Sequence, residues 1–339
     1  MLSSFKTKIF SFLLIGNLLL QVAHVQAQKG NHTFAFYNVE NLFDTEDDPA
    51  IDDAEYLPTS ELKWEETRLA TKFNRIARVL DSLGDADGPE IIGFAEIENR
   101  QVVEMLLNHD RLKSKKYQLV HFDSPDARGI DVGIAFKSDL YKLNFAKPLA
   151  VTLKDEPNFA TRDILLAQFS AGKTHFYVLA NHWPSRRGGE ETSRPKRQAA
   201  AEVARITVDS ILSRDPQAKI MLIGDFNDEP FDSPVQFLVN GISGSTALIN
   251  AMEPLKRNNV GSLYFQKKPN LIDQIIFSPG FVNPKSKYAV LPASASVFNP
   301  TWLQESDERF AGQPFRTFSG KKYLGGYSDH FPVFIHVKP

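Results

Sequence analysis

The stretch KIMLIGDFNDEP, residues 219–230, passes from an unbroken apolar run into Gly224, Asp225 and Asn227 and stops at Pro230. A short apolar run bounded by turn residues reads as a strand buried on both faces. A carboxylate and an amide placed where that strand leaves the core are therefore at a rim, not in the interior. The same arrangement recurs along the chain. Asn38 ends HTFAFYNV (32–39), in which Thr33, Ala35 and Tyr37 alternate with Phe34, Phe36 and Asn38. Glu96 comes at the end of EIIGFAEI (90–97), and Asn181 and His182 at the end of THFYVLANHW (174–183). Asp273 lies in LIDQIIFS (271–278), and Asp329 and His330 open the last strand, FPVFIHV (331–337). Any one of these polar residues could be a turn former. Six such interruptions favour one shared site, because the ends of neighbouring strands meet in space.

Between these strands, GIDVGIAF (129–136) and DILLAQFS (163–170) read as further strands. ELKWEETRLATKFNRIARVLDSLG (61–84) reads as a helix, with Leu62, Leu69, Phe73, Ile76, Leu80 and Leu83 near a 3.6-residue spacing and Gly84 as a stop. RQVVEMLLNH (100–109) and RPKRQAAAEVARITVDSILS (194–213) are two more helices. Strands mixed with few, long helices imply an α/β architecture of layers around more than one sheet. With no repeat, linker or shift of composition after Lys29, a single domain over residues 28–339 is expected.

Residues 1–27 are read as a secretory leader. Lys6 and Lys8 precede the apolar run IFSFLLIGNLLL (9–20), and a cut after Ala27 follows. The run is short of the ~20 apolar residues that span a bilayer, so no stable membrane insertion is expected. The chain has no cysteine, which excludes disulfides and thiolate metal sites. Export without disulfides points to a bacterial periplasm or medium. With 39 Lys and Arg against 41 Asp and Glu, there is no global positive field to hold nucleic acid, and any such contact must be local.

The rim residues supply carboxylate and amide oxygens and two imidazoles. Oxygen ligands select hard cations, Mg²⁺ first, with Mn²⁺ or Ca²⁺ as alternatives. Two histidines beside such an ion can serve as general base and general acid, and together they suit attack by water on a phosphate ester. No serine sits in G-x-S-x-G, so a serine hydrolase has little support. The acidic loop DTEDDPAIDDAEYLP (44–58) reads as solvated, its carboxylates lacking EF-hand order. Adjacent strand residues point to opposite sides, so the Asp329–His330 pair calls for a bend, which Gly325 and Gly326 allow.

NVENLFD, GFAEIEN, ANHWPS, GDFNDEP, LIDQIIFS and YSDHFPV, in this order, resemble the endonuclease/exonuclease/phosphatase superfamily, over about residues 33–337. The resemblance implies a four-layer α-β-β-α sandwich of two stacked mixed sheets flanked by helices, with the site at one end. It implies metal ligation by Glu96, with Asn38 helping to arrange metal and phosphate and Asp329 as a further metal carboxylate. Asp225 and Asn227 would face the phosphate and the attacking water, and Asp273 would orient and charge His330. His182 would give a proton to the leaving oxygen. Its expected partner is Asp163, in TRDILLAQF, which resembles an R-E-P segment of the deoxyribonuclease branch. Where the family often has glutamine before the metal-binding glutamate, this chain has Ala95. Glu98 would point the same way as Glu96 if the strand continued.

The superfamily includes nucleases, sphingomyelin hydrolases and inositol-phosphate phosphatases, and fold does not choose among them. WPSRRGGEETSRPKRQ (183–198) places Arg186, Arg187, Arg194, Lys196 and Arg197 just after His182. With Asn181, the residues Arg186, Arg187 and Arg197 are expected to contact substrate, as a basic lip tracking a phosphate backbone. The loop also looks like one in secreted bacterial nucleases of the superfamily. A nuclease on DNA or RNA, acting as a monomer with no obligate protein partner, is the leading expectation. A phosphatase or phosphodiesterase on a lipid head group or inositol phosphate is the alternative, and a catalytically inactive binding protein a third reading. Trp183 reads equally as a stacking platform for a base or as a buried anchor. The aromatic segment 294–318 reads as a lid packed over the site.

Overall fold

A computed structural model describes residues 30–84 and 87–339. The expected leader and its cut lie outside the described residues. Strand β1 (His32–Leu42) leads through a loop to helix α1 (Glu66–Ser82), then β2 (Ile91–Ile97), α2 (Arg100–Leu107), β3 (Tyr117–His121) and β4 (Asp131–Lys137). Next come β5 (Lys142–Leu149), β6 (Ile164–Ala171), β7 (Thr174–His182), helix α3 (Glu190–Leu212), β8 (Lys219–Asp225) and α4 (Ser233–Asn240). Shorter pieces follow: β9 (Ile249–Asn250), α5 (Glu253–Arg257) and the hairpin β10 (Leu263–Phe265) and β11 (Lys268–Asn270). Then come β12 (Asp273–Phe277), β13 (Ala289–Val290), β14 (Ser296–Val297), the ribbon β15 (Phe318–Ser319) and β16 (Lys322–Tyr323), and β17 (Val333–Lys338).

Two mixed sheets result. The first runs β13-β17-β1-β2-β4-β3, with β14 also on β17, and the second runs β5-β6-β7-β8-β12-β9. Each has one parallel pair, β1 with β2 and β7 with β8, flanked by antiparallel neighbours. The sheets stack face to face through aromatic contacts: Phe34 on Phe176 at 5.6 Å and Phe136 on Phe169 at 5.0 Å between ring centroids. Leu69, Ile76 and Leu80 of α1 and Val103 and Leu106 of α2 share that core cluster. On the outer face of the second sheet, Leu179, Leu222 and Ile276 pack against Ala200, Ala201, Ala204 and Val208 of α3 and Leu238 of α4. The small alanines let α3 lie close to the sheet. The four-layer sandwich is thus the observed architecture.

Several boundaries differ from the sequence reading. Residues 61–65 form turns, not the first turns of α1, and Trp64 is buried there with its indole N–H donating to the Phe43 carbonyl at 3.0 Å. Helix α3 starts at Glu190 rather than Arg194 and accommodates Pro195 in its second turn. Strands β3 and β5 had no expectation at all. Each is an edge strand, hydrogen-bonded on one side only, and β5 is half exposed and carries Pro148, so neither has the apolar run that marks a central strand.

The topology sets the position of the site. The parallel pairs bring the ends of β1, β2, β7 and β8 to one rim, and β12, antiparallel to β8, begins there, with Asp273 opposite Asp225. His182 pairs with Asp225 across β7 and β8. Gly224 is needed at this junction, since a Cβ on it would lie 2.5 Å from the Asn181 carbonyl oxygen.

Candidate active site

At the end of β2 the chain leaves regular alternation. Glu96 has φ +61°, at a register shift between Ala95 and Ile97. A non-glycine residue in the left-handed region costs of order 1 kcal/mol or more and persists where its surroundings enforce it. Here Glu96 Oε2 accepts from the Asn41 amide at 3.0 Å, and Oε1 stands 3.9 Å from His182 Nε2. The bulge also changes the expectation for Glu98. Its carboxylate turns away into the acidic loop, accepting from the Asp44 amide at 2.7 Å. Burial first, and then Asp44, Asp53 and Asp48, push it up to about 8.

Asp225 lies at the centre. Its Oδ1 accepts from the Asn227 amide at 2.9 Å and its Oδ2 from Asn38 Nδ2 at 3.1 Å. The same Oδ2 is 3.7 Å from His182 Nε2 and 3.9 Å from His330 Nε2. Burial, then the neighbouring Asp273, push its carboxyl up to about 7 against the opposing pull of His330, Asn227 and Asn38. The Asn38 amide is also held from its other end, since its Oδ1 accepts from the Glu40 amide at 3.0 Å. Asn38 therefore orients Asp225, and its Oδ1 keeps a second lone pair that could reach a metal. Asn227 has φ +50° and donates from Nδ2 to the Trp183 carbonyl at 2.9 Å, tying β8 to β7.

His330 precedes β17 instead of opening it. Its amide donates to Ser328 Oγ at 3.0 Å, a turn that supplies the expected bend, and the Ser328 hydroxyl donates to the Asn38 carbonyl at 2.7 Å. The glycine pair before it is required by contact. A Cβ on Gly326 would lie 2.2 Å from the carbonyl oxygens of Phe315 and Arg316, and Gly325 has φ +69°. His330 Nδ1 donates to Asp273 Oδ2 at 2.7 Å, and Ser262 Oγ donates to the same oxygen at 2.6 Å. Burial alone would lower the imidazole, but Asp273, Asp329 and Asp225 together hold it well above its ordinary value. His330 is thus a cation oriented by a carboxylate.

His182 has the opposite character. Burial, then the Arg162 and Arg128 guanidiniums and His330, hold it well below the ordinary value and therefore neutral. Its Nδ1 is buried with no hydrogen-bond partner among the described residues. Asp163 makes no bond to it and is half-exposed, so the expected pairing is absent. The inward group is the preceding residue. Arg162 is buried, donating to the Trp183 carbonyl at 2.7 Å and to Asp126 Oδ2 at 3.0 Å, and it lines the cleft. Adjacent residues of an extended segment face opposite ways, so with Arg162 turned into the cleft Asp163 turns away from it.

These groups line a cleft of about 830 Å³ that includes Glu96, His182, Asp225, Asn227 and His330, with Arg128, Arg162, Arg186 and Arg187 on one side and Leu263, Phe265 and Ile272 on another. The basic lip is shorter than expected. Arg197 is fully buried with Nε 2.7 Å from Asp228 Oδ1, so it braces α3 against the end of β8 and cannot touch a substrate. Arg186 is engaged with the Asn227 carbonyl, Glu190, Asp228 and Asp232. Arg194 pairs with Glu191 and Lys196 with Glu156. Asn181 is buried, its Nδ2 on the Leu179 carbonyl and its Oδ1 accepting from Trp183 Nε1. Trp183 itself is buried edge-on against Phe226, the anchor and not the platform. Segment 294–318 packs beside the site on β17 and α1, through Trp302 and Phe315 on Tyr327, and does not line the cleft.

The donor set fits a hard cation. Glu96 keeps Oε1 without a hydrogen bond, and Asp329 spends Oδ2 on Arg316 at 2.6 Å while Oδ1 stands 3.8 Å from His330 Nε2. Asp225, Asp273 and His330 also lie close enough to hold an ion. Asp273 and His330 nevertheless satisfy each other, so that group reads as a proton relay, and Glu96 and Asp329 are the remaining carboxylates that could take a metal.

The family model of the Endonuclease/Exonuclease/phosphatase family matches residues 33–339. No curated protein matches in sequence. Among solved structures, D. rerio TDP2 complexed with a single-strand DNA product is 14% identical at TM-score 0.55, over 91% of this chain and 99% of that one. The human Nocturnin catalytic domain is 16% identical at TM-score 0.54, over 91% and 94%. A mannosyl-6-phosphatase of Bacteroides thetaiotaomicron is 14% identical at TM-score 0.56, over 90% and 99%. At such identities the likeness speaks for the fold alone, while the family match spans nearly every described residue, the rim from Asn38 to His330 included. The chain belongs to the endonuclease/exonuclease/phosphatase family, a group of metal-dependent hydrolases of phosphate esters.

Proposed function

We propose that the protein is an exported, Mg²⁺-dependent phosphodiesterase that cleaves nucleic acid. The observation that carries the hydrolytic reading is the Asp273–His330 pair set 3.9 Å from Asp225, with Arg162 and Arg128 on the same cleft. Glu96 and Asp329 would hold the ion, which when bound neutralises phosphate charge as a Lewis acid. Arg162 and Arg128 offset the remaining charge, and Arg187 reaches a flanking phosphate. Asp225, pushed up to about 7, is matched to accept the proton of the attacking water near neutral pH. As the water oxygen bonds to phosphorus, the ester bond to the leaving oxygen breaks, and that oxygen takes the Nε2 proton of His330. The neutral imidazole of His182 has no proton to spare at rest, so the donor role expected of it passes to His330. The proton on Asp225 then returns to His330 across the short gap between them.

The experiment is incubation of the purified protein and Mg²⁺, with an EDTA control, against plasmid DNA, RNA, sphingomyelin, an inositol phosphate and mannose 6-phosphate. Plasmid nicking is expected. A compact phosphate ester is the second reading, favoured by the neutralisation of four of the five cations after His182. Turnover of a monoester alone would put it first. Export to the periplasm or medium is proposed from the leader, and cell fractionation tests it.

A further inference from the structure

We propose that a second pocket, across the β10–β11 hairpin from the catalytic cleft, holds an uncharged polar ring of the substrate next to the scissile ester. The inference rests on the phosphoesterase reading and deepens it.

The hairpin is a partition. Leu263 and Phe265 line the cleft, and Tyr264 between them lines a separate cavity of about 370 Å³. Gln266 and Lys267 at its tip both have positive φ, as a tight two-residue hairpin turn requires. The cavity's other wall comes from the segment before β17. Phe310 faces it from there, with Lys267 reaching over the Phe310 ring at 5.9 Å to join the two walls. Asp329 and His330 divide in the same way as Tyr264 and Phe265. Asp329 lines the second pocket and His330 the cleft. The Asp329 carboxylate therefore spans the boundary, Oδ2 on Arg316 at 2.6 Å and Oδ1 3.8 Å from His330 Nε2. Asp329, next to His330 in sequence, is where the two pockets adjoin.

The charges say what kind of group it is. Three cations, Arg309, Arg316 and Lys322, meet three carboxylates, Glu305, Asp307 and Asp329. The guanidiniums are already matched, Arg309 to Asp307 at 2.8 Å and Arg316 to Asp329. A balanced lining has no excess field for a second phosphate. It offers donors and acceptors side by side, with the Tyr264 and Phe310 rings as apolar faces, and that combination suits a neutral ring bearing both kinds of polar group. A nucleobase meets this description, and so does a pyranose.

The test uses Phe310→Ala and Arg309→Ala, both at exposed positions where the fold tolerates change. Turnover with Mg²⁺ is measured on a single-stranded oligodeoxynucleotide, on its base-free tetrahydrofuran counterpart and on mannose 6-phosphate. Loss of one aromatic stacking partner is expected to lower kcat/KM on the base-bearing strand about tenfold, with the base-free strand unchanged. The same dependence on mannose 6-phosphate, with none on DNA, would keep the neutral ring and assign it to a sugar. Variants that match the wild type on every substrate turned over, or that lose the base-bearing and base-free strands equally, overturn the pocket and leave the phosphoesterase reading standing. If the wild type turns over none of the three, the neutral-ring pocket is overturned, whereas the phosphoesterase reading falls only if plasmid DNA, RNA, sphingomyelin and the inositol phosphate are untouched as well.

Discussion

At the scale of single residues, the site depends on two acids that do different work. Asp273 spends Oδ2 on His330 and Ser262, and so fixes the imidazole's tautomer and charge. Asp225 keeps a raised carboxyl between two imidazoles. Asp225→Ala and His330→Ala are each expected to lower phosphoester turnover by about 100-fold or more with circular dichroism unchanged. Asp273→Asn should do the same while the His330 imidazole, followed by NMR titration, falls toward its ordinary value. Wild-type turnover in any of the three would remove these assignments. Arg162 and Ser262 were missed in the sequence for a shared reason. A lone arginine or serine at the start of a strand carries no mark of its surroundings, and only the approach of Trp183 and Asp126, or of Asp273, gives it a role.

Helix α3 shows how a charge can be misread at the scale of an element. Sequence spacing places Arg187 and Arg197 in one basic stretch, yet the helix turns Arg197 onto Asp228 in the interior while Arg187 stays on the cleft. Removing one partner of a buried pair leaves an uncompensated charge. Arg197→Ala is therefore expected to cost about 3–5 kcal/mol in urea unfolding, with KM little changed in whatever folds. Arg187→Ala should raise KM on a polynucleotide and leave the unfolding midpoint where it is. The opposite pattern would restore Arg197 to the substrate surface. Central strands were legible because β2, β7, β8 and β12 are buried on both faces and read as apolar runs ended by polar residues. The edge strands β3 and β5 were not, since a half-wet strand with Lys, Asn and Pro has the composition of a loop. The bulge at Glu96 was hidden too, because nothing in EIEN announces a left-handed residue.

For the whole molecule, the proposed metal ligands Glu96 and Asp329 come from opposite halves of the chain, so an ion that they hold only in the folded state would stabilise all of it. Mg²⁺ at about a hundred times its dissociation constant should add about 2.7 kcal/mol, read as a rise in Tm over an EDTA control. Glu96→Gln should abolish most of that rise with little change in the Tm of the metal-free protein. An equal rise in wild type and variant would move the ion elsewhere.

β17 is an inner strand of the first sheet. It lies between β13 and β1, and Ser328 bonds to Asn38 across 290 positions. A polypeptide still emerging from the ribosome holds Glu96, His182 and Asp225, but it lacks the cationic imidazole and a neighbour for its first strand. Such contacts are also slow to form. Until residues 328–338 have been synthesised and paired with β1, the proposed site has no His330, so a nascent chain released before that point is expected to be inert toward phosphate esters.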